Sequence, residues 1–260
     1  LLYDAGAVSR DHRMKYLLLA SLFLPLYLFA DPSPTEVSIS AALDHERRGE
    51  SDRARDKNRA PLKTLEFLRF EKDMTVLELL PGGGWYTKIL GPVLEEKGKL
   101  YLSIGTTGVS KMIDGQSGFG STEVIPFDGI IKSETEKRRY TVPEFSFGIR
   151  KIDLVLTFRN MHNFDAEGRA SLNAASFQAL KKGGHYGIVD HTRRHMQPES
   201  DEVWRRIDPV QIIKEVEAAG FEFTDFADFH YKPDDELIYE VGRKTVTGNT
   251  DRFTLLFTKP

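Results

Sequence analysis

Residues 75–87 read Thr-Val-Leu-Glu-Leu-Leu-Pro-Gly-Gly-Gly-Trp-Tyr-Thr. A short apolar run carrying one carboxylate, Glu78, meets a turn of three glycines, Gly82, Gly83 and Gly84. Helical spacing begins beyond it, with Trp85/Tyr86, Ile89/Leu90 and Val93/Leu94, and Gly98 stops it. This is a strand, a tight loop and a helix N-terminus, the ground plan of a nucleotide-type cofactor site. Glycines let the backbone come close to a ligand, and the first helical turn offers N–H groups without partners.

Outward from the loop, strand and helix alternate. Val76–Leu80, Lys99–Ile104, Glu123–Phe127, Ile152–Phe158 and His185–Val189 read as buried strands. A helix is expected from about Asp165 to Leu180, ending before Gly183-Gly184. Another is expected from Asp208-Pro209, an N-cap followed by proline, to Gly220. Phe221–Phe229 and Arg252–Lys259 alternate like two antiparallel strands. The pattern predicts an α/β fold, a doubly wound, mostly parallel seven-stranded sheet with a C-terminal antiparallel hairpin. Residues 132–150 and 231–250 read as insertions on the loop side.

The chain has 260 residues, net charge −3, 40% hydrophobic and 29% charged residues, enough for one domain with a full core. Nothing in that charge suggests nucleic-acid binding. No cysteine is present, which excludes disulfides, thiolate metal sites and a cysteine nucleophile.

Four segments follow. Residues 1–13 precede Met14 and read as an upstream extension. Residues 14–30 have a basic start, an apolar run from Tyr16 to Phe29 and Ala30 before a polar break, the pattern of a secretory signal peptide. The run is shorter than the ~20 residues of a spanning helix, so no stable membrane span is expected after cleavage, and the mature chain is expected to be periplasmic or secreted. An uncleaved anchor is the alternative. Residues 31–60 form a charged segment containing Asp-Arg-Ala-Arg-Asp-Lys-Asn-Arg at 52–59. In it Arg53, Arg55 and Arg59 either face an acidic ligand or make a solvated helix face. Residues 61–260 form one domain, opened by Pro61 and a helix with Leu62, Leu65 and Leu68 on one face.

A dinucleotide loop wants a third glycine where Thr87 stands, and an acid about 20 residues further on. Here the acid stands before the loop, at Glu78. The arrangement resembles the first motif of class I S-adenosylmethionine-dependent methyltransferases, a Rossmann-like fold. Residues 52–56, 77–87, 153–163 (Asp-Leu-Val-Leu-Thr-Phe-Arg-Asn-Met-His-Asn), 206–209 (Arg-Ile-Asp-Pro) and 250–253 (Thr-Asp-Arg-Phe) together resemble a bacterial family of predicted, often exported, methyltransferases with this Pro-Gly-Gly-Gly-Trp-Tyr-Thr loop. The resemblance implies S-adenosylmethionine as cofactor and an unspecified acceptor, with a small molecule favoured. Two departures stand out. Leu80, followed by Pro81, occupies the place of the motif's first glycine. The second strand ends in Ser103-Ile104-Gly105, without the acid that holds the cofactor's ribose in typical members.

The cofactor-binding candidates are therefore Glu78, Pro81, Gly82, Gly83, Gly84, Tyr86, Ser103, Asp128 and Asn160. Tyr86 and Trp85 either stack on the ligand or pack the helix onto the sheet. The catalytic candidates follow the fourth and fifth strands: His162, Asp190 and His191. His191 is the candidate base, because imidazole titrates near neutrality. Asp190 would orient it or act itself, and the plainer reading has both bonding the loop. His162 would shape the cofactor pocket. No metal site is expected. His191 and His195 are four apart, with Asp190, His185 and His230 as conceivable neighbours, but no His-Glu-x-x-His pattern accompanies them. The competing functions are an exported ligand-binding or sensing protein on a repurposed methyltransferase fold and, more remotely, a nicotinamide-dependent oxidoreductase.

Overall fold

The computed structural model describes residues 31–260, and residues 32–260 form one compact unit. The upstream extension and the signal-peptide reading lie outside the described residues. Four helices come first: α1 Pro34–Asp44, α2 Glu50–Arg53, α3 Asp56–Arg59 and α4 Pro61–Phe67. Then follow β1 Thr75–Leu79, α5 Thr87–Leu94, β2 Lys99–Ser103, α6 Thr107–Ile113, β3 Thr122–Ile125, the small hairpin β4 Ile131–Lys132 and β5 Tyr140–Thr141, and β6 Ile152–Phe158. The chain closes with α7 Ala166–Ala179, β7 Leu180–His191, α8 Pro209–Ala218, β8 Glu222–Ala227 and β9 Arg252–Thr258.

The seven-stranded sheet has the order β3-β2-β1-β6-β7-β9-β8. Pairs from β3 to β7 are parallel, and β9 is antiparallel to both β7 and β8. The expected sheet and its C-terminal antiparallel pair are both present. Two apolar clusters cover its faces. One packs α7 and α8 through Leu172, Ala175, Ile212 and Val216. The other packs α1, α4 and α5 through Ile39, Leu65, Ile89 and Leu90. The caps are those the sequence wrote: Asp165 accepts from Gly168 N–H and Asp208 from Val210 N–H.

The charged segment belongs to this unit. Ser33 and Glu36 close a capping box on α1, and Ile39 is buried. Asp52 holds Lys88 at 2.6 Å, and Asp56 pairs with Arg48. Strand order reverses between β1 and β6, which opens a crevice at their carboxyl ends. Three non-glycine residues with left-handed backbone, Leu80, Ile104 and Arg159 (φ 51°, 64° and 64°), turn the chain off β1, β2 and β6 at that edge. Among the described residues no helix is long and apolar enough to cross a membrane.

Candidate functional site

The loop after β1 is built around glycines. Gly84 N–H donates to Pro81 C=O at 2.9 Å. Gly84 has φ +79°, which favours glycine there, and α6 approaches the loop backbone so closely that a Cβ at Gly108 would lie 2.8 Å from Gly82 C=O. Gly83 is the opposite case: a Cβ there would meet nothing within 4 Å. Leu80 takes the left-handed conformation that the motif's usual glycine would adopt freely, and Asn160 Nδ2 caps its carbonyl at 3.3 Å.

Glu78 is buried, and Thr87 Oγ1 donates to its Oε2 at 2.6 Å. Burial pushes its carboxyl up to about 7, against the pull of the Thr87 hydrogen bond and of Arg59. Thr87, at the place of a dinucleotide loop's third glycine, is thus the residue that holds the acid. Glu78, Pro81, Gly82, Gly83, Tyr86 and Asn160 all line one cleft of about 310 Å³. Gly84 lies in the same loop. Ser103 is buried, with its hydroxyl on Ile125 C=O at 3.3 Å, and Asp128 is exposed; neither lines this cleft.

The far wall comes from the charged segment and the end of β6. The Tyr86 ring stacks on Phe158 at 3.6 Å between centroids, and Trp85 meets Tyr86 edge-on. The Arg59 guanidinium lies over Trp85, 4.2 Å from its ring centre. The Arg59 carbonyl, just before left-handed Ala60, accepts from Thr64 Oγ1 and His230 Nε2, both at 2.9 Å. This locks residues 52–59 against β9, where Thr254 Oγ1 meets His230 Nδ1 at 2.7 Å. Arg55 and Arg59 face the cleft. Arg53 turns away and donates to the Arg48 carbonyl.

The residues after β6 and at the end of β7 form a second group. Asp190 is fully enclosed. Its carboxylate accepts from His162 Nδ1 at 2.6 Å, from the His162 N–H at 3.1 Å and from the His191 N–H at 2.7 Å. It orients His162, and its contact with His191 is through the backbone. The His191 ring instead meets Thr250 Oγ1 at 3.0 Å and lies 5.8 Å from the His162 ring. Burial, with His162 and Arg252 nearby, holds His191 well below its ordinary range, so it is neutral at pH 7. His195 pairs with Asp208, His185 with Thr258 and His230 with Thr254. The histidines are thus spoken for separately.

His191 opens on a second cleft of about 420 Å³, which shares Arg55, Arg59 and Arg159 with the first. Arg159 and Arg252 were not among the sequence candidates. Their signal was present in the motifs at 153–163 and 250–253, but only the pairing of β9 with β7, His191 opposite Arg252, brings them to one place.

No protein-family model matches the chain, and no curated protein matches its sequence. Solved structures do. An S-adenosylmethionine-dependent methyltransferase from Aquifex aeolicus aligns over 86% of this chain and 98% of its own, at 16% identity and TM-score 0.54. The chain has the class I S-adenosylmethionine-dependent methyltransferase fold. The antiparallel strand β9, inserted between β7 and β8, separates this methyltransferase fold from the dinucleotide order, whose sixth strand continues the parallel sheet. The [4+2]-cyclase SpnF aligns over 84% of this chain and 86% of its own, at 15% identity and TM-score 0.52. A methyltransferase fold therefore hosts more than one reaction.

Proposed function

We propose that the chain is an S-adenosylmethionine-dependent methyltransferase acting on a small molecule. The observation that carries this reading is the open cradle at Gly82 and Gly83, set beside buried Glu78 at the switch point of a methyltransferase-fold sheet. The residues present fit the cofactor at this end. The loop admits close backbone approach, Glu78 offers a carboxylate to a cationic ligand, and Arg55 offers a cation to a ligand carboxylate. The cofactor supplies an electrophilic methyl group on a sulfonium. The chain's part is to orient the acceptor and take its proton. His191 is the imidazole placed for that role: it is neutral, and in the tautomer whose Nδ1–H donates to Thr250 its Nε2 lone pair can take the proton, although burial and the nearby arginines lower its basicity. His162, held by Asp190, is a positioning residue behind it.

The motif set also supports membership of the exported family with the Pro-Gly-Gly-Gly-Trp-Tyr-Thr loop. The basic start and apolar run of residues 14–30 support a secretory leader, and N-terminal sequencing of natively expressed protein tests it. Calorimetric titration of the full chain with S-adenosylmethionine tests the cofactor. We expect saturable binding that Gly83→Val abolishes without unfolding, since its side chain would enter open space. No heat at millimolar cofactor sinks the reading. One observation favours the alternative of an exported binding or sensing protein: the end of β2 offers buried Ser103 and no carboxylate for a ribose. Turnover with any acceptor excludes that alternative.

A further inference from the structure

Among the described residues six arginines are buried: Arg48, Arg59, Arg139, Arg169, Arg206 and Arg252. Four have carboxylate partners. Arg48 has Asp56, Arg139 has Glu199, Arg169 has Glu215, and Arg206 has Asp235 in a bidentate pair at 2.9 and 3.0 Å. That is how this chain neutralises a guanidinium whose work is structural. Arg59 and Arg252 make no such pair among the described residues, and both line the cleft beside His191, with half-buried Arg159 between the two clefts.

Arg252 is only 7% exposed. One of its Nη atoms donates to Asn58 C=O at 2.8 Å, and its Nε is buried with no hydrogen-bond partner among the described residues. Arg59 is 5% exposed and rests on the Trp85 face. Burial lowers all three guanidinium groups, with help from Arg159 at Arg59 and Arg252 and from Arg55 at Arg159; Arg59 falls to about 9 and Arg252 to about 10. The acids that act on the cluster are Glu78, which faces Arg59, and Asp251 and Asp190, which face Arg252; Glu78 is held by Thr87 and Asp190 by His162. Arg205, on the rim, is paired with Glu240. Uncompensated buried positive charge is costly, and an anion is the ligand that relieves it.

We propose that the cleft lined by Arg59, Arg159, Arg252 and His191 is an oxyanion site that binds a carboxylate or phosphate group. Resting on the methyltransferase reading, that group belongs to the methyl acceptor. The charge also bears on order of binding. A sulfonium is repelled by three unpaired guanidinium groups, so an anion seated among them favours the cofactor, and the two ligands bind with positive coupling.

The test is calorimetric titration of the full chain with inorganic phosphate and, separately, with succinate, at constant ionic strength, with and without S-adenosylhomocysteine. We expect saturable binding of at least one probe, and which one distinguishes a phosphate from a carboxylate acceptor. Arg252→Gln and Arg159→Gln should each weaken it about tenfold or more, the loss of one charge-assisted hydrogen bond. Thermal melting separates a lost site from a lost fold. At one probe concentration the melting temperature of the wild-type chain should rise by more than that of the variants. Wild-type affinity retained in both variants, or absence of saturable binding by either probe, overturns the site. Displacement of the anion by S-adenosylhomocysteine overturns it too, because the arginines would then serve the cofactor's own carboxylate. Anion binding that persists in a chain that ignores S-adenosylhomocysteine would keep the site and remove the methyltransferase reading.

Discussion

Glu78 at the end of β1 and Asp190 at the end of β7 are both buried carboxylates at the same edge of one sheet, yet they are held in opposite ways. Asp190 accepts three hydrogen bonds, from His162 Nδ1 and from the N–H groups of His162 and His191. Glu78 receives one side-chain donor, Thr87, and its carboxyl is pushed up to about 7. A buried carboxylate held by three donors is scaffold. One left with a single partner is a group whose charge is settled by whatever enters the cleft.

The largest expected effect breaks the scaffold side of this contrast. Asp190→Ala strands two backbone N–H groups and the His162 ring, and should destabilise the fold by about 3–5 kcal/mol. A urea-unfolding midpoint that barely moves would show that the three bonds matter little.

Glu78→Gln tests the other side and should depend on pH. The folded-state pKa, about 7, lies above the ordinary 4.5. The folded chain therefore holds a proton that the unfolded chain has lost between those values, and stability falls as pH rises from 4.5 through 7. Glutamine cannot titrate. Relative to wild type, the variant should gain up to about 3 kcal/mol of stability between pH 4.5 and 8. Parallel unfolding curves for the two chains across that range count against a poised Glu78.

His230 extends the contrast to a fully partnered base. It lies between the Arg59 carbonyl and Thr254, and burial lowers it to about 4 from 6.5. Its sign is the reverse of Glu78: stability is lost as pH falls from 6.5 through 4. His230→Asn should lose less stability than wild type over that acid window, by up to about 3 kcal/mol. Acid unfolding midpoints compare the two directly.

The same contrast explains what could be read from the sequence. Strands of apolar residues and helices with Asp165 and Asp208 caps announce themselves locally, and their limits fall close to those expected. β7, expected over His185–Val189, spans Leu180–His191: it takes in Gly183-Gly184, expected to close the preceding helix, and runs on through buried Asp190 and His191, which pair with Phe253 and Arg252 while looking polar in sequence. α1 has a local signal, the Ser33-Pro34-Thr35-Glu36 capping box, but it opens a segment whose composition predicts only a charged tract. Glu78 and the glycines were legible because strand, loop and helix are contiguous. The arginine cleft was not: Arg59, Arg159 and Arg252 come from three distant segments, joined only by β9 entering beside β7.

The smallest expected effect belongs to Thr87, whose hydroxyl is, among the described residues, the single side-chain donor to Glu78. Thr87→Val keeps the shape of the side chain and removes that donor. Above pH 7 it removes a hydrogen bond to a carboxylate, worth about 2 kcal/mol, and at pH 5 one to a neutral acid, worth about 1 kcal/mol. The cost of the substitution should therefore grow with pH. Because the lost donor favoured the charged form, the Glu78 carboxyl should also titrate higher in the variant. Combined with Glu78→Gln, the pH-dependent part of the cost should vanish, since no charge remains for the hydroxyl to stabilise. A cost that stays constant with pH, or that survives in the double variant, would mean that Thr87 packs the first turn of α5 and leaves the charge of Glu78 to burial alone.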